Sequence, residues 1–289
     1  MTSKDVTEAD IQSNIPLVGR KPDQISTTVN VGDVEFSEGK FVVIAGPCTI
    51  EGREMMLETG TSVKEAGASM IRGGAFKPLT FPYRNEKMFQ LEEEGLKYLA
   101  ESKQKTGLPV VTEILDVRDI ELVAQYTDMM QVGARNMQNF PLLEELGKSG
   151  IPVLLKRHFG CGLRDWLGAA EYILYHGNPN VVLCERGITV PHTHQLTSRF
   201  IVDLEAVLAA KEWTHLPVIV DPSHATFKRA YVAPVARAAL AIGADGIILD
   251  VHPVPEQAAV DPLQALGFED FDNLMKQLRN IASVMEIEM

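Results

Sequence analysis

The chain has 289 residues, 45% of them hydrophobic and 23% charged, and its 39 acidic and 27 basic side chains leave it at -12. That length allows one large domain with a well-buried core. The acidic balance excludes a general nucleic-acid partner, because a phosphate backbone is held by broad positive patches. There is no run of eighteen apolar residues and no basic-plus-apolar leader, so neither a membrane span nor a secretory signal is expected. Cys48, Cys161 and Cys184 set no disulfide framework and fit a reducing cytoplasm.

Residues 1–38 read as a polar, turn-rich extension. Within it STTVNVGDVEF alternates Val29, Val31 and Val34 around Gly32-Asp33, which predicts a small β-hairpin. Residues 39–289 repeat one unit: apolar strand, loop, amphipathic helix. The strand runs are 41–45, 68–71, 109–113, 128–132, 152–156, 180–184, 217–221 and 246–250. Between them EEEGLKYLAESKQKT, FPLLEELGKSG, LRDWLGAAEYILYHG and YVAPVARAALAIGA carry apolar residues three and four apart, and several end in glycine. GLPVV, GIPVLL and HLPVIV each put a proline at a strand entrance, where a missing amide donor is tolerated. The alternation predicts a closed (β/α)8 TIM barrel, with 265–285 as the closing helix and no separate regulatory module. A doubly wound open sheet is the alternative, disfavoured because no G-x-G-x-x-G loop follows the first strand.

In such a fold the carboxyl ends of the strands form the active face. Arg72, Arg135, Lys156 and Arg186 fall at or just past those ends, and Lys77 lies in the loop after Arg72, where Gly73 and Gly74 would let backbone approach a ligand. Scattered salt bridges would account for any one of them. The set in register with the strands predicts a site for an anionic small substrate carrying phosphate and carboxylate. Glu113 closes the third strand and would orient water or a lysine, or simply pair with a cation. Cys48, His224, Asp250 and Asp261 also sit at strand ends or in the following loops. One thiolate, one imidazole and two carboxylates would suit a divalent ion: manganese, iron, cobalt or zinc. His252 competes as a ligand, but successive side chains of an extended segment point to opposite sides. Cys161 and Cys184 read as packing residues, His176 and His215 as surface or helix-end groups. His158, His192 and His194 read as loop residues on the active side. No Ser-His-Asp elbow, Walker loop or H-E-x-x-H motif is present.

Several of these segments are long and specific: VGDVEF, IAGPCTIE, IRGGAFKP, GLPVVTEILD, QVGARNMQNF, VLLKR, VLCERGI, LPVIVDPSHAT and GADGIILDVHP. On them the chain resembles the 3-deoxy-D-arabino-heptulosonate 7-phosphate (DAHP) synthases over residues 28–275, specifically the short single-barrel branch that is also similar to 3-deoxy-octulosonate 8-phosphate synthase. The resemblance implies a transferase that condenses phosphoenolpyruvate with a phosphorylated aldose and releases inorganic phosphate, commonly feeding aromatic amino-acid biosynthesis. It implies Arg72, Arg135, Lys156 and Arg186 as the phosphoenolpyruvate clamp. It also implies Arg72 and Lys77 at the reacting atoms, where Glu113 is the expected orienting catalytic group, and Cys48, His224, Asp250 and Asp261 around the metal. A homodimer or homotetramer acting on small molecules follows from the same likeness.

Departures from the family pattern cluster on the acceptor side, where Lys77, Pro78, Leu79, Thr80, Arg84 and Asp261 are the expected contacts. The family's K-P-R-T-S-P-Y reads KPLTFPY here, so Leu79 replaces an arginine and Phe81 a serine. A neutral aliphatic side chain cannot replace a bidentate phosphate donor. Arg84 and Lys87 are the substitutes offered by a longer loop. The expected metal glutamate is Asp250, and HFGCG follows Lys156-Arg157 in place of G-M-S-A-T. Erythrose 4-phosphate remains the expected acceptor. A different or less phosphorylated aldehyde, a five-carbon sugar phosphate, or an inactive barrel serving as a binding subunit are the alternatives.

Overall fold

The computed structural model describes residues 13–77, 90–191 and 200–289. Pro78, Leu79, Thr80, Phe81, Arg84, Lys87, His192 and His194 lie outside them. A hairpin of β1 (Val29–Val31) and β2 (Val34–Phe36) pairs Val29 with Phe36 and Val31 with Val34, as the valine alternation predicts. Eight parallel strands follow: β3 (Val42–Gly46), β4 (Met70–Arg72), β5 (Val110–Ile114), β6 (Met129–Val132), β7 (Val153–Lys156), β8 (Val181–Glu185), β11 (Val218–Val220) and β12 (Gly246–Asp250). They close in the order β11-β12-β3-β4-β5-β6-β7-β8, which makes the TIM barrel and excludes the open sheet. The short β9 (Ile188–Thr189) and β10 (Phe200–Ile201) form an antiparallel ribbon beyond β8.

Helices α1 (Arg53–Ala66), α2 (Glu93–Thr106), α3 (Ile120–Ala124), α4 (Phe140–Ser149), α5 (Leu163–Tyr175), α6 (Leu204–Trp213), α7 (Pro222–Thr226), α8 (Arg229–Ala241) and α9 (Phe268–Met285) surround the strands. The closing helix begins at Phe268, after Gly267, three residues later than the sequence pattern places it. Left-handed glycines end α1, α2 and α4, at Gly67, Gly107 and Gly150, where a side chain would be strained.

Two apolar layers result from the period-two alternation of the strands. One residue set faces the helices: Val43, Ala45, Ile71, Val110, Met130, Leu155, Leu183, Val220 and Leu249 all belong to the core between strands and helices. The alternate set fills the tube: Val42, Ile44, Met70, Val111, Met129, Leu154, Val182, Cys184, Ile219 and Ile248 pack together with Val29, Val31 and Phe36 of the hairpin. The hairpin therefore plugs the amino-terminal mouth. Below it, His215 is a helix-end group just past α6, but it is buried and not on the surface. Its Nδ1 lies 2.7 Å from Thr27 Oγ1 and its Nε2 2.7 Å from the Leu17 carbonyl. It ties the extension to the entrance of β11, a role invisible without the chain crossing that brings residue 17 to residue 215.

Candidate active site

The tube fixes what reaches the other mouth. Two residues after each inward apolar residue the next side chain again points inward: Arg72 follows Met70, Glu113 follows Val111, Gln131 follows Met129 and Lys156 follows Leu154. Likewise Asp221 follows Ile219 and Asp250 follows Ile248. All six are buried, so charged groups occupy one layer directly above an apolar one. Sequence analysis placed four of them; Gln131 and Asp221 were missed. The same two-residue step would have found both, because it places Asp221 in VIVDPS as it places Asp250 in GIILD.

Four candidate ligands meet here. Cys48 Sγ is 3.2 Å from Asp261 Oδ2 and 3.6 Å from His224 Nε2, and His224 Nε2 is 3.7 Å from both Asp250 Oδ2 and Asp261 Oδ2. One donor atom from each of the four residues lies within 4.8 Å of the others. Cys48 comes from the loop after β3, Asp250 ends β12, and Asp261 stands in the following loop with φ +59. His224 is placed by α7, whose first turn is set by Pro222 and capped by Asp221: its carboxylate accepts from the His224 amide at 2.9 Å and lies 2.8 Å from Nδ1. That fixes Nε2 as the outward-facing nitrogen, the arrangement metal-binding histidines adopt. The donor set fits a borderline divalent ion. The one-methylene-shorter Asp250 still reaches the cluster. His252 does not join it; its Nε2 turns toward Glu51 Oε1 at 3.4 Å. Glu51 also accepts from the Ala259 amide at 2.8 Å, which pins the loop carrying Asp261.

Electrostatics follow from this crowding. Burial disfavours the charged His224, but Asp221 and Asp250 outweigh it and push its pKa up to about 9. Burial likewise opposes ionisation of Asp250, yet Arg72 and His224 hold its carboxyl below the usual range. Arg72 donates to Asp250 Oδ1, and its Nη2 lies 3.9 Å from Cys48 Sγ. Gln264 Nε2 donates to the other Asp250 oxygen at 2.7 Å, and the Ser223 hydroxyl accepts from the Asp250 amide at 3.0 Å. Lys77 is buried beside them. Burial works against its charge, but Cys48 and Glu113 prevail and its pKa lies above the ordinary value.

Lys156 Nζ is 2.5 Å from Asp221 Oδ2. Arg186 donates from Nη2 to the His224 carbonyl at 3.3 Å and lies 4.2 Å above the Phe200 ring, while its buried Nη1 has no hydrogen-bond partner among the described residues. Burial presses its pKa down, and Arg135 is near enough to press the same way. Arg135 itself is exposed on the short turn Ala134–Asn136 after β6. Packing also calls for glycine at positions 73 and 74. A Cβ on Gly74 would overlap the Cys48 carbonyl, and one on Gly73 would crowd Ile50 at 3.1 Å. Gly133 leaves the space that the Glu113 carboxylate fills.

Among the other cysteines and histidines, Cys184 is buried inside the tube, and burial raises its thiol above the usual range. Cys161 lies 3.6 Å from His158 Nδ1 in the loop after β7, and His176 is a half-buried helix end.

Comparison with known proteins decides the family. The sequence profile described as the DAHP synthetase I family matches residues 24–286. The chain belongs to that family. The phospho-2-dehydro-3-deoxyheptonate aldolase of Thermotoga maritima is 45% identical over 274 residues, covering 94% of this chain and 79% of that protein. The crystal structure of that aldolase, a DAHP synthase, superposes with a TM-score of 0.88 at 44% identity over 94% of this chain and 78% of its own. The truncated form of the Thermotoga maritima synthase gives 0.86 at 42% identity, over 95% and 99%. A 2-dehydro-3-deoxyphosphooctonate aldolase from Fusobacterium nucleatum is 31% identical over 86% of this chain and 93% of its own. Both branches of the resemblance are thus represented among this family member's relatives, with the higher identity on the heptonate side. No helix among the described residues is long and apolar enough to cross a membrane.

Proposed function

We propose that this chain condenses phosphoenolpyruvate with erythrose 4-phosphate, giving a seven-carbon 3-deoxy-2-ketoaldonate phosphate and inorganic phosphate. The metal-dependent, phosphoenolpyruvate-using aldol-type condensation is the chemistry of the family to which the chain belongs, and the chain is a transferase of that kind. The observation that carries the reading is the meeting of Cys48, His224, Asp250 and Asp261 beside buried Arg72, Lys77, Lys156 and Arg186.

Lys156, Arg186 and Arg135 hold the phosphate and carboxylate of phosphoenolpyruvate, and the unpartnered Arg186 Nη1 is a donor waiting for an anionic oxygen. Cys48, His224, Asp250 and Asp261 would hold the ion, which when bound supplies Lewis acidity to the aldehyde carbonyl. C3 of phosphoenolpyruvate attacks the carbonyl carbon, and the electron pair of the C=O bond moves to oxygen. Lys77, kept charged by Cys48 and Glu113, donates a proton to that oxygen. Water adds at the cationic C2 and loses a proton, and the C–O bond to phosphate then breaks. Arg72 faces both Asp250 and the thiol, at the junction between the enol and the aldehyde. Glu113 orients Lys77 or the attacking water.

The native ion belongs to manganese, iron, cobalt or zinc. The three unpaired cysteines accord with a reducing, cytoplasmic setting, and the family likeness with a homodimer or homotetramer. A second reading is favoured by Leu79 standing where the family carries an arginine: an aldehyde with less or differently placed phosphate. Product analysis with phosphoenolpyruvate and a panel of aldoses separates them. Turnover of erythrose 4-phosphate well above all others supports the first. Its failure as a substrate, with turnover of another aldehyde, overturns it.

A further inference from the structure

Three of the cations assigned to the phosphoenolpyruvate clamp are tied to residues of the metal set, two directly and one through an intermediary. Arg72 donates to Asp250, Arg186 donates to the His224 carbonyl, and Lys156 reaches His224 through Asp221. The last link differs in kind. Asp221 is fully buried, and its carboxylate spans two sites it does not itself belong to: Oδ2 lies 2.5 Å from Lys156 Nζ and 2.8 Å from His224 Nδ1. Oδ1 accepts from the His224 amide at 2.9 Å and lies 3.1 Å from the same Nδ1. Lys156 closes β7, His224 sits in α7, and Asp221 joins β11 to α7. Asp250 also lies between a clamp cation and the imidazole, accepting from Arg72 and standing 3.7 Å from His224 Nε2, but it is itself one of the four ligand candidates, whereas Asp221 is not.

We propose that Asp221 is a two-sided positioning residue that couples the metal site to the phosphoenolpyruvate clamp through the chain Lys156–Asp221–His224. This rests on the functional reading above. The negative charge of Asp221 is shared between an ammonium and an imidazole. Drawing it toward His224, as an ion on Nε2 does, loosens its hold on Lys156 and leaves that ammonium to the substrate anion. Removing Lys156 concentrates the charge on His224 and removes a repulsive cation, so the ion is held more tightly. A residue touching none of the four ligands therefore tunes metal affinity, and it does so mainly through the charge of Asp221.

The test is a double-mutant cycle read by cobalt(II) titration of purified, metal-stripped full-length protein, following the thiolate-to-cobalt absorption of Cys48. No turnover is needed. Asp221→Asn keeps an acceptor for the His224 amide, and is expected to weaken cobalt binding about 10- to 100-fold. Lys156→Gln is expected to tighten it about fivefold in the native background and less than twofold beside Asp221→Asn, a non-additivity that marks direct coupling. Should Asp221→Asn fail to fold by circular dichroism, Lys156→Gln alone decides: unchanged cobalt affinity overturns the proposal. Equal Lys156→Gln effects in both backgrounds also overturn it, leaving Asp221 a support for His224 only. A native protein with no thiolate–cobalt band overturns the metal reading itself, a result distinct from either.

Discussion

Replacing Arg157 by methionine tests the electrostatic reasoning away from the reacting groups. Arg157 lies behind the mouth, where its Nη1 is 3.0 Å from both Glu185 Oε2 and Asp203 Oδ2 and its Nε donates to the Cys161 carbonyl at 3.0 Å. Methionine keeps much of the volume and removes the charge. Glu185 is completely buried and keeps two donors, the amides of Gly187 at 2.6 Å and Asp203 at 3.3 Å. Breaking a buried pair from one side costs about 3–5 kcal/mol, and those surviving donors put this case near the lower end, about 3 kcal/mol. Burial already raises the Glu185 pKa although Arg157 opposes it, so losing Arg157 raises it further. A carboxyl group with a raised native pKa binds its proton more tightly folded than unfolded. Stability therefore falls as pH climbs from the unfolded value, about 4.3, toward the native one, by up to about 1.4 kcal/mol per unit. The variant has the wider window. Its deficit against the native protein is consequently larger at pH 8 than at pH 5.5. Urea unfolding at both pH values, followed by circular dichroism and by Trp166 fluorescence, measures it; the Arg157 guanidinium lies 5.9 Å from that indole. A deficit below about 1 kcal/mol, or one that shrinks as pH rises, would refute the argument.

Other perturbations address the site and the plug. Cys48→Ala is expected to lower metal affinity by at least about tenfold and to abolish most turnover, and chelation of the native enzyme is expected to do the same; full turnover after exhaustive chelation contradicts the assignment. Arg186→Ala removes the unpartnered donor, and a charge-assisted bond of about 2 kcal/mol predicts a roughly 30-fold weaker phosphoenolpyruvate affinity by calorimetry, with the aldehyde KM little changed. Phe36→Ala empties the amino-terminal plug among Val42, Ile44 and Met70 and is expected to cost about 3–5 kcal/mol in urea unfolding without altering metal affinity. A destabilisation of less than about 1 kcal/mol would mean that the hairpin does not seal the tube.

Local sequence determined the strand–helix alternation, the hairpin turn at Gly32-Asp33 and the placement of Arg72, Lys156 and Asp250 at strand ends. Each of these depends on a period of two or 3.6 residues or on a turn residue acting on its neighbours. The four metal-type ligands were legible for the same reason, as residues beside strand ends, and the family segments around them gave their roles. Tertiary structure alone decided which side chains share a partner. Asp221 reads as one acidic residue before a proline until β7 and α7 bring both Lys156 and His224 to its carboxylate. Glu185 reads as the neighbour of Arg186 until the barrel buries it against Arg157. His215 reads as a surface or helix-end group until residues 17 and 27 cross beneath the barrel to bury it. Contacts between residues tens to hundreds apart leave no periodic trace, because they are set by ring closure and by burial, which act on the folded chain and not on any window of sequence.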